Sequence, residues 1–199
     1  KFDFSMVGFV SNYEDLIDLD VVGTDPSCSR LIGRPCNINA YSNTDEAEIW
    51  GLEWTSDYNF NGNKNGFSVL SSLAYTYGDD TSSSESKPLT SIEPFKAIIG
   101  LKYTALKDKW SAQLTNTYVG DARTTKALEN NPSESYSVLD FISNFNVNDR
   151  LSLDLGIYNL NDTRYFNYST VKNENPSDVD INRYSEPGRN IKGGFKFVF

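Results

Sequence analysis

Apolar and polar residues alternate with a period of two along almost the whole chain, and this alternation constrains the fold more than any other feature. Successive side chains of a β-strand point to opposite faces, so the alternation predicts strands with one apolar face. About eight segments of ten or more residues carry the pattern, which is longer than the usual globular strand. Within these segments the alternation is clearest at residues 2–6, 49–60, 67–77, 95–105, 110–118, 139–147, 151–157 and 191–199. Such strands require a sheet with one continuous apolar face.

The connections between these segments alternate in length. Short turns are predicted at 61–66, 107–109 and 148–150. Long polar loops are predicted at about 13–45, 79–92, 121–135 and 168–187. Short turns at one end of a sheet and long loops at the other are typical of outer-membrane β-barrels. Aromatic residues near the strand ends, such as Tyr58, Trp110 and Tyr118, fit the two aromatic girdles of such barrels.

The composition agrees with a wall that is apolar on one side. Aromatic residues make up 14% of the 199 residues, yet the mean hydropathy is −0.49 and the formal net charge is −9. The chain has no histidine, which excludes a Ser-His-Asp triad and a histidine-ligated metal or haem within it. A pI near 4.5 argues against nucleic-acid binding. We therefore predict no enzymatic activity, no metal site and no nucleic-acid partner.

Three other interpretations of the residues remain open. A secreted β-sandwich or lectin-like domain would bury the apolar face in an ordinary core. A complete small barrel of about eight strands, with an adhesive or structural role, would have to fill its narrow interior with packed side chains. The polar face is instead rich in Ser, Thr, Asn and Gly. The third interpretation is a hydrolytic outer-membrane barrel, which the missing histidine disfavours.

The two cysteines, Cys28 and Cys36, lie in one short segment that contains a glycine and a proline. Their spacing matches no common zinc pattern, and two free thiols are the other alternative. We predict a disulfide that closes a small loop outside the reducing cytosol. Arg30 and Arg34 in this loop, together with Tyr41, are candidate contacts for an anionic ligand.

Carboxylates are concentrated on both sides of the cysteines. They are Glu14, Asp15, Asp18, Asp20, Asp25, Asp45, Glu46 and Glu48. We interpret them as a solvated outer surface whose charges meet divalent ions bound to lipopolysaccharide. A cation site or a docking face for a basic partner is the alternative.

Several short motifs occur in a fixed order along the chain. One strand carries Ala47, Ile49, Gly51 and Glu53, a later strand leads into Asn159, Leu160, Asp162 and Tyr165, and the last strand opens with Pro187, Gly188 and Arg189. Together these motifs resemble those of TonB-dependent outer-membrane receptors, and most of all the branch of haem, haemoglobin and transferrin receptors. The chain ends on Phe195, Phe197 and Phe199, which resemble the C-terminal signal that outer-membrane barrels present to the insertion machinery of Gram-negative bacteria.

The resemblance implies an all-β fold, an antiparallel transmembrane β-barrel of 22 strands with a plugged lumen. Residues 1–199 would form about eight of these strands, as the C-terminal segment of the barrel, with the plug domain and the N-terminal strands absent. The long loops would be extracellular, and the short turns and the C-terminus periplasmic. Gly51, Gly100, Gly156 and Gly194 would leave room on the lumen face, and Arg189 is expected to pair with a loop carboxylate.

The resemblance also implies a function. The chain would belong to a receptor that transports an iron source actively across the outer membrane, namely haem or haem taken from a haemoprotein. A siderophore receptor of the same fold is the alternative. Haem would be the transported ligand, and no cofactor is expected in this segment. The implied partners are outer-membrane lipid and lipopolysaccharide, the plug domain and remaining strands, the TonB system, and a host haemoprotein.

Overall fold

The computed structural model describes residues 1–28, 36–62, 65–82, 84–123, 134–172 and 179–199, without the side chains of 18–21, 28, 36, 37, 39, 42, 44, 45, 179 and 180. The strands are β1 (Phe2–Asp25), β2 (Cys36–Asn59), β3 (Gly66–Asp80), β4 (Lys87–Pro88), β5 (Lys96–Thr104), β6 (Trp110–Val119), β7 (Tyr136–Asn148), β8 (Leu151–Tyr158) and β9 (Asn190–Phe197). One short helix, α1, spans Tyr168–Val171, and 3₁₀ turns span Pro26–Cys28, Leu106–Asp108 and Val179–Tyr184.

The strands form one antiparallel sheet in the order β1-β2-β3-β5-β6-β7-β8-β9, with β4 paired to β3. Each long strand therefore pairs with the next long strand along the chain. β1 and β9 lie at opposite ends of this order, so the described strands form an open wall. The all-β antiparallel prediction is confirmed. An open wall of eight strands does not fit the complete small barrel that the sequence left open.

The connections segregate to the two ends of the sheet. The turns after β2, β5 and β7 share one end, which we call the short-turn end. The connections after β1, β3, β6 and β8 share the other, which we call the long-loop end. This is the arrangement that the alternating connection lengths predict.

The first long connection is shorter than predicted. Residues 13–45 are expected as a polar loop, but β1 continues to Asp25 and β2 begins at Cys36. The two strands stay paired along this stretch as far as Asp25 opposite Cys36, apart from Asp15 and a register shift between Val21 and Gly23. Apolar and polar residues alternate from Ile17 to Val21, and the loop prediction is wrong for these residues.

The register places the apolar residues on one face, which we call the apolar face. Met6 lies opposite Trp54, and Trp54 lies opposite Leu73. Many of these side chains are exposed, for example Ile99 at 57% and Phe195 at 77%. An apolar face of this extent requires an apolar environment. None of the described helices has the length and hydropathy that a membrane-crossing helix requires.

Aromatic rings mark both borders of the apolar face. Near the long-loop end Trp50 stacks on Tyr77, with ring centroids 5.2 Å apart. Near the short-turn end Tyr103 contacts both Phe67, at 4.9 Å, and Trp110, at 5.1 Å. Two separate aromatic bands agree with the girdles that the sequence predicts.

The opposite face, which we call the polar face, carries the charged side chains and four predicted glycines. Gly51 is buried there, and a Cβ atom on it would lie 2.5 Å from the ring of Phe9 and 2.8 Å from the carbonyl oxygen of Tyr75. By contrast, a Cβ on Gly194 would meet no atom within 4 Å. The predicted need for space therefore holds at Gly51, where the backbone of β3 and the ring of Phe9 approach closely.

An arginine on the apolar face should destabilise the protein in a membrane. Leu114 lies midway between Trp110 and Tyr118 on β6, so we expect Leu114→Arg to cost about 2–4 kcal/mol, the typical cost of arginine at mid-bilayer. The measurement is urea unfolding of the protein in lipid vesicles. The matched control is Thr115→Arg, which faces the polar side opposite Gly100 and Asp140. Equal losses in the two variants would contradict the assignment of the faces.

Candidate functional site

The connection from β8 to β9 folds back over the polar face at the long-loop end. We call its described residues, 159–172 and 179–189, the strap. The phenol of Tyr168 in α1 donates a hydrogen bond to the carbonyl of Thr90 at 3.0 Å, and the ammonium of Lys172 donates to the same carbonyl at 3.3 Å. Thr90 lies just before β5, three strands away from β8 in the sheet. The strap therefore crosses the wall and docks on another loop.

Five apolar side chains are buried among the described residues, two of them in α1. Tyr168 is 3% exposed and Val171 is fully buried. The others are Ala47, Leu89 and Val138. All five lie at the long-loop end, on the polar face or on the loops that cover it. The buried core of the described chain is thus the seat of the strap, whereas the apolar face stays exposed.

Asn159 fixes the place where the strap leaves β8. Its φ is +53°, in the left-handed region that asparagine adopts more readily than most residues. Its backbone N–H donates to the carboxylate of Asp140 at 2.8 Å. Its side-chain amide donates to the carbonyls of Thr163, at 2.8 Å, and Pro187, at 3.1 Å, and its Oδ1 accepts the N–H of Thr163 at 2.9 Å. Asn159 is 2% exposed, and it ties the start of the strap to its end.

Asp162 and Arg189 form a second tie between the same two points. The carboxylate of Asp162 accepts the backbone N–H of Arg189 at 2.8 Å, and Nε of Arg189 donates to the carbonyl of Leu160 at 2.9 Å. A Cβ on Gly188 would approach the Asp162 carboxylate to 3.0 Å, so a small residue suits this position. The carboxylate of Asp162 thus binds the backbone amide of Arg189 and the guanidinium binds a carbonyl, and an ion pair of Arg189 with a loop carboxylate stays a prediction. The two C-terminal motifs form one structural anchor.

Tyr165, the last residue of the motif that begins at Asn159, packs against β7. Its ring lies 4.5 Å from that of Tyr136, whose hydroxyl donates to Oδ1 of Asn167 at 3.1 Å. The side-chain amide of Asn167 donates in turn to the carboxylate of Glu186 at 2.6 Å. Burial, and then the negative charge of Glu186, raise the pKa of Tyr165. Its phenol therefore stays neutral at physiological pH and can act as a hydrogen-bond donor.

A cleft of about 310 Å³ lies between the strap and the polar face. It is lined by Ala74, Thr76, Glu93, Pro94, Lys96, Val119, Tyr136, Asn167, Tyr168 and Ser169. Hydroxyl, amide, ammonium and carboxylate groups meet there on an aromatic wall. This arrangement suits reversible binding through hydrogen bonds, which is the usual chemistry of a small-molecule site.

Of the predicted ligand contacts, only Tyr41 is described, and it does not line this cleft. Arg30 and Arg34 fall outside the described residues. Tyr41 is 78% exposed on the part of β2 that extends beyond β3. Cys28 ends a 3₁₀ turn and Cys36 opens β2, opposite Asp25, but the side chains of both cysteines lie outside the described part. The ligand contacts and the disulfide therefore stay predictions.

The residues of the β2 motif share the polar face. Ala47 is 3% exposed within the core beneath the loops, and Glu53 pairs across the sheet with Val7 and Ala74. Cγ1 of Ile49 would lie 3.3 Å from a Cβ on Gly78, so this corner is tightly packed. At the other end of the chain Phe195, Phe197 and Phe199 are 77%, 49% and 105% exposed, with the rings of the last two 5.2 Å apart. The first two belong to β9, on the apolar face.

Two further contacts were not predicted from the sequence. Arg123, in a predicted loop, binds the carboxylate of Asp79 at 2.9 Å and lies 3.5 Å above the ring of Tyr77. The docking of Tyr168 and Val171 was likewise not predicted. The sequence does contain one signal for this docking. Tyr168 and Val171 are three residues apart, which puts two apolar side chains on one side of a helical turn inside a polar loop.

Comparison with known proteins identifies the family. Residues 1–160 match the model of the family described as TonB dependent receptor-like, beta-barrel. This match covers most of the chain, so the chain belongs to the barrel domain of the TonB-dependent receptors. These are outer-membrane receptors and transporters, not enzymes, which agrees with the predictions from the sequence.

Several curated relatives are named as proteins that bind hemoglobin, hemoglobin-haptoglobin, lactoferrin or transferrin. Probable hemoglobin and hemoglobin-haptoglobin-binding protein 4 of Haemophilus influenzae is 26% identical over 98% of this chain and 22% of its own length. Transferrin-binding protein A of Neisseria meningitidis serogroup B is 26% identical over 80% of this chain and 21% of its own length. The chain thus spans about a fifth of the length of the curated relatives that it matches.

Solved structures of the same fold cover the whole chain. Copper transporter OprC matches 100% of this chain and 28% of its own, with a TM-score of 0.75 and 22% identity. The pyoverdine outer membrane receptor FpvA of Pseudomonas aeruginosa PAO1 matches 100% and 27%, with a TM-score of 0.64 and 17% identity. These likenesses show the fold.

Loss of the Asn159 side chain should release the strap while the wall stays assembled. Asn159→Ala removes three hydrogen bonds from a buried site, each worth about 1 kcal/mol. We expect faster proteolysis within residues 159–189 and an unchanged level of protein in the membrane. The control is Asn182→Ala, an exposed position whose backbone carbonyl still accepts the bonds from Ser185. Equal proteolysis of the two variants would refute the anchor.

The predicted disulfide can be tested by thiol labelling. We expect that a maleimide reagent under denaturing, non-reducing conditions modifies neither Cys28 nor Cys36, and that it modifies both after reduction. Labelling of both cysteines without a reductant would show that the bond does not form.

Proposed function

We propose that this chain forms the C-terminal part of the barrel wall of a receptor that imports haem, taken from a haemoprotein, across the outer membrane. The observation that carries the proposal is the similarity to hemoglobin-binding relatives over 98% of the chain. Binding and energised transport need no covalent step, which agrees with a chain that has no histidine. A siderophore receptor is the competing assignment, and it makes a different prediction about growth.

The polar face is proposed to line the lumen and to meet a plug domain together with further barrel strands. Charged side chains stand on it from end to end, among them Glu53, Lys102 and Asp154, in strands whose other face is apolar. Charges of this kind would be costly against lipid, so this face must be the wet one. A plug with complementary polar groups would supply hydrogen-bond partners for them.

The apolar face is proposed to contact outer-membrane lipid, with lipopolysaccharide at its long-loop border. The aromatic band around Trp50 and Tyr77 would then lie at the extracellular interface, and the band around Tyr103 and Trp110 at the periplasmic one. In this orientation the strap and its cleft are open to the outside, and the C-terminal Phe199 is periplasmic.

The strap gives this part of the receptor a place to hold a ligand. The anchor at Asn159 and Asp162 joins the start of the strap to its end. Tyr168 of the strap donates a hydrogen bond to the carbonyl of Thr90. A ligand in the cleft would contact both the wall and the strap, so its binding free energy would depend on their relative position. Release toward the periplasm would need the TonB system, acting through parts outside this chain.

Growth on different iron sources tests the proposal. Deletion of the gene should abolish growth of an iron-starved strain on haem and on hemoglobin, and should leave growth on ferric siderophores unchanged. Deletion of the gene for TonB should have the same effect on growth with haem, because transport depends on that energy source. A loss of growth confined to a ferric siderophore would instead establish the siderophore alternative.

A further inference from the structure

β1 and β2 remain paired far beyond the rest of the wall. β3 pairs with β2 between Ala47 and Asn59, whereas the pairs between β1 and β2 continue to Asp25 and Cys36. We call residues 14–25 and 36–46 the ribbon. The 11 residues from 36 to 46 extend it about 36 Å past the end of β3, at about 3.3 Å per residue.

The ribbon has a free edge along β2. The carbonyl of Glu46 accepts the N–H of Thr81 at 2.9 Å, so the backbone groups of Glu46 point toward the β3 side. Backbone groups of alternate residues in a strand point the same way, which places the N–H and C=O of residues 38, 40, 42 and 44 on that side too. Within the described residues no strand pairs with them. A row of unpaired backbone groups is a template for an added strand.

Exposed apolar side chains accompany this edge. On β2 itself, Ile38 is 46% exposed and Tyr41 78%. A two-stranded ribbon is by itself marginally stable in water, and its exposed apolar groups gain free energy when another chain covers them. The combination of a free edge and exposed apolar groups suits a protein partner that binds as a strand.

Charge limits what the partner can be. The ribbon sequence contains seven acidic residues, Glu14, Asp15, Asp18, Asp20, Asp25, Asp45 and Glu46, and no lysine or arginine. Glu14 lies directly opposite Glu46 in the register, and hydrogen bonds from Ser27 lower the pKa of Asp25. Such a ribbon repels a second copy of itself. It attracts a basic protein surface.

We propose that the ribbon is a docking arm, and that a basic, extended segment of a haem-carrying protein adds as a strand to the free edge of β2. This inference rests on the proposed function and deepens it, because it names a protein rather than a small molecule as the partner captured first. Free haem or a siderophore offers no backbone for strand pairing. The ribbon would therefore serve capture of the carrier protein, and the lumen would serve its haem.

A proline at position 40 tests strand addition selectively. The N–H of Ala40 points to the free edge, so Ala40→Pro removes one donor from that edge without removing a donor to β1. The matched control is Ala40→Val, which keeps the N–H. With the intact receptor in outer-membrane vesicles and hemoglobin as the probe, we expect Ala40→Pro to raise the Kd at least tenfold. We expect Ala40→Val to stay within twofold of the unchanged receptor, and growth on free haem to be the same for all three.

Three further experiments test the same proposal. Ser42→Pro removes a second outward donor and should act like Ala40→Pro if either variant assembles poorly. Combined Glu14→Gln, Asp15→Asn and Glu46→Gln changes should lower the association rate at low salt at least fivefold. Hemoglobin with succinylated lysines should bind more weakly than the untreated protein.

Two results would overturn the docking arm. One is unchanged hemoglobin binding by assembled proline variants. The other is the absence of hemoglobin binding by the unchanged receptor. The proposed function is judged separately by growth on free haem, which does not depend on the ribbon.

Discussion

Antiparallel pairing in a period-two register is the constraint on which the rest of this structure depends. Within lipid a strand must pair its backbone N–H and C=O groups with its neighbours, and a shift of one residue would move every side chain to the other face. The pairing of Met6 with Trp54, and of Trp54 with Leu73, continues one apolar row across three strands. Once these rows are fixed, the opposite face must carry the charges and the close backbone contact at Gly51.

The regular wall holds irregular parts at one end. The anchor at Asn159 joins residues that are 28 positions apart in sequence, and the bond from Tyr168 to Thr90 joins residues 78 apart. Both depend on strands that are already in register, because β5, β7 and β8 set the distances between the loops. Binding residues on loops that a rigid sheet supports are a common arrangement in proteins. Here the loops also supply most of the fully buried core of the described chain.

The strap and the ribbon use their residues in opposite ways. The strap brings Tyr168 and Val171 into a buried site and leaves a cleft beneath it, whereas the ribbon keeps Ile38 and Tyr41 exposed and one edge unpaired among the described strands. The strap is therefore suited to a small ligand, and the ribbon to a protein. A receptor that takes haem from a carrier needs both kinds of contact.

The sequence by itself determined which residues share a face, which connections are short, and the family, because these depend on local alternation and short motifs. It did not show that residues 14–25 and 36–46 are strands, because the short alternation from Ile17 to Val21 lies among many acidic and polar residues, and the pairing of β1 with β2 decides their structure. Nor could it show that the strap folds inward, or that Arg189 binds a carbonyl. These outcomes depend on contacts between residues far apart in sequence, and only the assembled sheet brings such residues together.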